Sequence, residues 1–176
     1  MVTSDAGVVM DASAAIALIT REPQGQAVHG LLSRCNADDL PVTVSSFFWL
    51  EVVNALVRGR SWSGADTLAA IHKIDTFEVD TVEQDRALVI SSLDLAERHG
   101  LTAYDAAYLA LAIRLDAQLL TVDGRLAGAA GRRAISLGDR RVSEDRPPYE
   151  REVTWPSYRN ASAYLAKLRA EAVQRG

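Results

Sequence analysis

Only one cysteine, Cys35, occurs in the 176 residues of the chain. One thiol excludes an internal disulfide and a cysteine-built zinc site, and it reads as a small buried hydrophobe rather than a thiolate. Lysine is nearly as scarce, with Lys73 and Lys167 alone, so the basic side of the charge balance is arginine. The three histidines, His29, His72 and His99, are scattered over helical stretches with no nucleophile beside them, which argues against general-base histidine chemistry. No stretch reaches the roughly 18 consecutive apolar residues of a membrane span. The opening residues MVTSDAG lack the basic and apolar regions of a signal peptide. The expectation is a cytoplasmic protein with no membrane association. Neither G-x-x-x-x-G-K-[ST] nor G-x-G-x-x-G is present, which leaves a nucleotide-binding loop without support.

What the chain does have is an apolar content of 48%, a mean hydropathy near zero and enough length to bury a real core as one domain. Its charge is unevenly spread. Residues 1–123 carry 8 basic against 17 acidic residues, and residues 124–176 carry 11 against 6. An acidic body with an arginine-rich end suits a protein that gathers cations in one place and meets a polyanion in another; an ordinary solvated tail explains the same counts.

The apolar pattern alternates short strands with helices. Gly7–Asp11 is an unbroken apolar run ending in an acid, as expected of a central parallel strand. Asp11 or Ser13 can cap a helix over Ala14–Thr20, and a second helix fits Gln24–Arg34. Pro41–Val44 reads as a strand, and Ser45 or Ser46 starts a helix over Phe47–Arg58. Ser63 caps a helix over Ala65–Ile74, Phe77–Asp80 reads as a strand, and Thr81 or Asp85 opens a helix over Ala87–Arg98 that Gly100 ends. LTAYDAAYLALAIR is too apolar for a surface helix and should be buried over much of its circumference. The strand Leu119–Val122, a short helix near Arg125–Ala130 and a strand over Arg133–Leu137 complete the alternation. From Asp139 to Pro156 the chain is polar, and Tyr158–Val173 recovers helical periodicity. The pattern indicates a doubly wound α/β domain with a mostly parallel sheet, whose right-handed crossovers place every strand's carboxyl end on one edge.

Four acids are expected at that edge. Asp11 and Asp123 end strands, Asp105 opens a helix, and Glu51 lies one turn into a helix that follows a strand. Glu51 is the most telling, because a carboxylate within FFWLEVVNAL is expensive to bury without a partner. Each of the others has a plainer reading: Asp11 and Asp105 as helix caps, Asp123 before Gly124 as a turn residue. Clustered carboxylates with no basic partner repel one another, a divalent cation removes that repulsion, and all-oxygen ligands favour Mg²⁺ or Mn²⁺. Beside a polyanion, such a metal activates water for in-line attack on a phosphodiester. Ser13, Thr121 and Asn54 are the small polar neighbours best placed to orient the ligands or the scissile phosphate.

VVMDASA, LEVVNAL, LTAYDAAYLALA and LLTVDGRL, in this order from about Val8 to Leu137, resemble the acid-bearing motifs of PIN-domain ribonucleases, and among them the VapC-type toxins of toxin–antitoxin pairs. The resemblance implies the PIN-like three-layer α/β/α fold over residues 1–138. It implies Asp11, Glu51, Asp105 and Asp123 as the metal-binding catalytic acids, with Ser13 and Thr121 in support. It further implies Mg²⁺- or Mn²⁺-dependent endoribonuclease action on tRNA or rRNA, a homodimer, and a cognate antitoxin that docks a peptide across the toxin. The chain departs from the family in residues 139–176, a polar linker and terminal helix. There Arg151, Arg159, Lys167 and Arg169 mix with Tyr149, Trp155, Tyr158 and Tyr164. Such a mixture can hold single-stranded nucleic acid; the favoured reading has the aromatics docking the helix and the arginines facing water. Two other functions are weighed against the nuclease. One is a PIN-fold binding or regulatory module without nuclease activity, against which every acid position is filled. The other is phosphoryl transfer on small molecules, against which a haloacid-dehalogenase-like enzyme would need an acid at the Ser13 position and a receiver domain would need a lysine near the site.

Overall fold

The computed structural model describes residues 7–137. Strand β1 (Val8–Met10) leads into helices α1 (Ala12–Thr20) and α2 (Gly25–Ala37), then β2 (Val42–Ser45). Helix α3 (Phe48–Asn54) widens into a π-helical turn over Ala55–Gly59, and α4 (Gly64–Asp75) and β3 (Val79–Val82) follow. Helices α5 (Arg86–His99) and α6 (Ala103–Arg114) return the chain to β4 (Gln118–Leu120), and α7 (Gly124–Ala130) comes last, with a 3₁₀ turn over Gly131–Arg133. The four strands form a parallel sheet in the order β3-β2-β1-β4. The three-layer α/β fold expected from the sequence is therefore the observed one.

The strand order makes the site. The chain advances from β1 to β2 to β3, then crosses back to lay β4 on the other side of β1, with Val8 opposite Gln118 and Met10 opposite Leu120. Right-handed crossovers then put α1–α4 on one face and α5–α6 on the other. Between β1 and β4 the connections leave in opposite directions, and that divergence opens a crevice at the carboxyl ends of the two strands. Asp11 directly follows β1, and Thr121–Asp123 directly follow β4.

The central strands and α6 supply the core. All of β1 and β2 is buried, and so is every residue of α6 from Ala106 to Ala112. Alanines at 106, 107, 110 and 112 let this helix lie close to α5 on one side and to β1, β2 and β4 on the other. Tyr108 and Leu111 of α6 and Leu119 of β4 are among the fully buried large side chains of the core.

Several caps are as the sequence suggests: Asp11 for α1, Ser63 for α4 and Asp85 for α5 each accept a hydrogen bond from a backbone N–H, and Gly100 closes α5 at φ 64°. Three expectations change. Phe77 belongs to the turn after α4, its N–H bonded to the Ile74 carbonyl, so β3 starts at Val79. Helix α3 has no serine cap; the Ser45 hydroxyl accepts from the N–H of Phe47. The strand expected over Arg133–Leu137 is reduced to a single bridge between Ala134 and Leu119, because Arg132 and Arg133 are taken up in the 3₁₀ turn. The expected linker and the helix over Tyr158–Val173 lie outside the described residues.

Gly25 shows how tightly α1 and α2 are joined: a Cβ there would lie 2.3 Å from the Ala17 carbonyl oxygen. The obstacle is backbone, so Gly25→Ala is expected to lower stability by about 1–3 kcal/mol despite the better helix former. Urea unfolding measures this, and a neutral or stabilising change would show that the two helices have room to separate.

Candidate active site

Asp11 is the most enclosed acid among the described residues, with 5% of its surface exposed. As the N-cap of α1 it accepts the Ser13 N–H at Oδ1, 3.1 Å away. Its Oδ2 accepts two hydroxyls, Ser13 Oγ at 2.6 Å and Thr121 Oγ1 at 2.6 Å. Each hydroxyl has one proton and directs it to Asp11. As acceptors they then tie down the chain after β4: Ser13 Oγ takes the N–H of Val122, and Thr121 Oγ1 takes that of Asp123. The cap reading of Asp11 is thus correct, and the hydroxyls that satisfy the capping acid also tie it to the chain after β4.

Glu51 is half-buried on α3, and its Oε2 accepts the hydroxyl of Tyr108 at 2.5 Å. Asp105 is on the first turn of α6, but Thr102 is the cap there. The two form a reciprocal pair: the Thr102 hydroxyl accepts the Asp105 N–H at 3.1 Å and donates to Asp105 Oδ2 at 2.8 Å. Asp123 is exposed and caps α7, its Oδ1 accepting the N–H groups of Arg125 and Leu126, each at 2.8 Å.

Three of the acids feel one another. Burial pushes Asp11 above the ordinary carboxylate range, its hydrogen bonds with Ser13 and Thr121 oppose the rise, and the charge on Asp105 adds to it. Burial also raises Glu51, against the hydrogen bond from Tyr108, and the charges on Asp11 and Asp105 raise it further. Asp123 joins this group through the backbone, by way of Thr121. Asn54 is exposed at the end of α3 and makes no hydrogen bond to the acids.

Tyr108 is the site residue that sequence reasoning misses. Within LTAYDAAYLALA it passes for core, and it is core, at 1% exposure. The available signal is its spacing: three residues after Asp105 puts the two side chains on one face of α6.

The donor set fits a hard divalent cation. Glu51, Asp105 and Asp123 each have one oxygen hydrogen-bonded and the other without a protein partner among the described residues. None of the four acids forms an ion pair among the described residues. Half-satisfied carboxylates near a buried one, with no lysine or arginine among the described residues paired to them, are a hard-cation environment. Among the described residues no three acids, histidines or cysteines are drawn together as a closed cage. Mg²⁺ does not need one, since it keeps several waters and takes one or two carboxylates.

The family model for the PIN domain matches residues 8–132. The chain is 30% identical over 123 residues to the ribonuclease VapC3 of Pyrobaculum aerophilum, a match covering 68% of this chain and 91% of that protein. Among solved structures, it resembles PAE2754 from Pyrobaculum aerophilum at 22% identity and a TM-score of 0.53, covering 74% of this chain and 89% of the other. It resembles a toxin–antitoxin complex from Klebsiella pneumoniae at 16% identity and a TM-score of 0.56, covering 75% and 98%. It also resembles Mycobacterium tuberculosis VapC20, described as a toxin that cleaves the sarcin–ricin loop, at 18% identity and a TM-score of 0.55, covering 70% and 95%. The chain belongs to the PIN-domain family, and the likeness to its VapC-type members read from the motifs is borne out.

The upward shifts of Asp11 and Glu51 have a consequence for stability. The folded chain holds these protons more tightly than the unfolded chain does. Their contribution is therefore present at acid pH and is lost as pH rises through the raised values. In metal-free protein, Asp11→Asn is expected to flatten the fall in stability above the usual carboxylate range and to raise stability at neutral pH. Urea unfolding across a pH series checks this; a variant whose stability falls as steeply as that of the parent would show that the Asp11 charge carries no such cost.

Proposed function

We propose that this chain is a metal-dependent endoribonuclease, the toxin of a toxin–antitoxin pair. The observation that carries the reading is the acid group at the carboxyl ends of β1 and β4: buried Asp11 and the half-satisfied Glu51 and Asp105 feel one another's charge, Asp123 is tied to Asp11 through Thr121, and none has an ion-pair partner among the described residues. Its membership of the PIN family and its likeness to a protein named ribonuclease VapC3 support it. Asp11, Glu51, Asp105 and Asp123 would hold Mg²⁺ or Mn²⁺. Bound there, the ion would supply a water of lowered pKa and neutralise charge building on the leaving oxygen. The residues' own work is orientation. Ser13 and Thr121 fix both the direction of Asp11 and the backbone that carries Asp123. Thr102 fixes Asp105. The substrate class is RNA, tRNA or rRNA, and its phosphates meet a cation where the bare protein would repel them.

A homodimer and an antitoxin belong to the same proposal. Val89, Ile90 and Leu93 form one exposed apolar face of α5, 55%, 55% and 60% accessible, which suits burial between two copies. The antitoxin would neutralise the acids with a basic side chain, as the electrostatics of the crevice favour; a neighbouring fold is known as a toxin–antitoxin complex. No helix among the described residues is long and apolar enough to cross a membrane.

One observation favours a second reading, a PIN-fold binding module without nuclease activity: the acids are not drawn into a closed cage. Cleavage of RNA separates the two. With Mn²⁺ present, the protein is expected to cut RNA internally, EDTA to stop it, and Asp11→Asn to slow it by about 100-fold or more, beyond the 10–100-fold typical of outer-shell changes. Equal cleavage by parent and variant would remove the site; no cleavage by either would favour the binding module. For the dimer, sedimentation is expected to give twice the chain mass, reduced to one chain by Leu93→Glu. A parent that sediments as a monomer would refute that part alone.

A further inference from the structure

Tyr108 is a polar group buried in the middle of the apolar helix α6, and its hydroxyl has a specific use. The ring packs edge-on against Phe47 at the start of α3, with centroids 5.0 Å apart and planes at 68°. Phe47 in turn packs edge-on against Tyr104, so the ring is held by both α6 and the segment leading into α3. The hydroxyl donates to Glu51 Oε2 at 2.5 Å, across 57 residues of sequence. Its surroundings also include Asp11 and the backbone N–H of Ala12, at the very start of α1. Tyr108 therefore stands where α1, α3 and α6 meet, and those helices carry Asp11, Glu51 and Asp105.

A glutamate has three side-chain torsions, and an unbraced one on a half-exposed helix samples several rotamers. Glu51 has a brace on one oxygen only. Its Oε1 has no hydrogen-bond partner among the described residues. The Tyr108 proton therefore decides which oxygen of Glu51 is tied to the protein and which remains for a ligand.

We infer that Tyr108 is a positioning residue for the cation site: its hydroxyl pins Oε2 of Glu51 so that Oε1 is presented as a single-oxygen ligand beside Asp11 and Asp105. The inference rests on the nuclease reading above and adds a residue to it. It gives a use to the one hydroxyl among the alanines and leucines of the buried stretch Ala106–Ala112, where phenylalanine would fill the same space and leave nothing to satisfy. Tyr108 touches neither substrate nor cation in this account; it acts through Glu51.

Tyr108→Phe removes one oxygen and keeps the ring on Phe47. In full-length protein titrated with Mn²⁺ alone, with free Mn²⁺ followed by electron paramagnetic resonance, the variant is expected to bind about 10-fold more weakly, at the lower end of outer-shell effects. RNA cleavage should then recover towards the parent rate as Mn²⁺ is raised. An unchanged Mn²⁺ affinity together with a lowered melting temperature would overturn the inference and leave Tyr108 a purely structural residue. A double-mutant comparison covers a single variant that fails to fold. Tyr108→Phe added to Glu51→Ala is expected to weaken Mn²⁺ binding no further, since Glu51 is the only route for the effect. A further loss in the double variant would overturn the inference. Failure of the nuclease reading looks different: the parent protein itself would bind no Mn²⁺, and both proposals would fall together.

Discussion

The charge of Asp11 is what the carboxyl edge of this structure is arranged around. A carboxylate at 5% exposure is costly unless its oxygens are satisfied. Here the satisfaction comes from segments far apart in sequence. Ser13 is two residues away and Thr121 is 110 residues away. Because both hydroxyls give their protons to the acid, their lone pairs are left to take the N–H groups of Val122 and Asp123. The direction of Asp11, the start of α1 and the path of the chain out of β4 are therefore one hydrogen-bond system. No member can move without exposing another's unpaired group.

The remaining acids are held by different means, according to how deeply they lie. Asp123, exposed, is held by the amide groups of α7. Asp105 is held by a capping partner on its own helix, and Glu51 by a phenol from a helix on the opposite face of the sheet. In each case one oxygen is fixed and the other is left over. The free oxygens reach solvent, so the arrangement costs little in stability while leaving each of these acids an oxygen available to a ligand.

Much of this was legible in the sequence because it depends on period and position. Short, mostly apolar runs marked β1, β2 and β4 as strands, although β4 spans Gln118–Leu120 rather than Leu119–Val122, and the acids after them followed to the carboxyl edge. Ser13 and Thr121 were legible as small hydroxyls beside those acids. Less legible was anything set by contact between distant segments. Tyr108 had no signature apart from its spacing to Asp105, because a buried tyrosine and a buried phenylalanine give the same hydrophobic pattern. The start of β3 was misjudged at Phe77, whose apolar side chain serves the core from a turn rather than from a strand. The strand over Arg133–Leu137 failed for a local reason: two arginines entered a 3₁₀ turn and left one bridge. Asn54 shared a helix face with Glu51 in the pattern, yet at the end of α3, where the helix widens, its side chain stays in solvent.

The pairing of β1 with β4 also sets when the site can come into being. Val8 must find Gln118, so the sheet closes across nearly the whole described chain, and such distant closure is among the slower steps of folding. A chain growing from its N-terminus presents Asp11 early, but the hydroxyl of Thr121 is not yet made. During synthesis the acid stands without half of its support, and the acidic edge of the sheet is completed only after β4 emerges. The buried carboxylate and the hydroxyl that supports it thus reach their native contact only late in the growth of the chain.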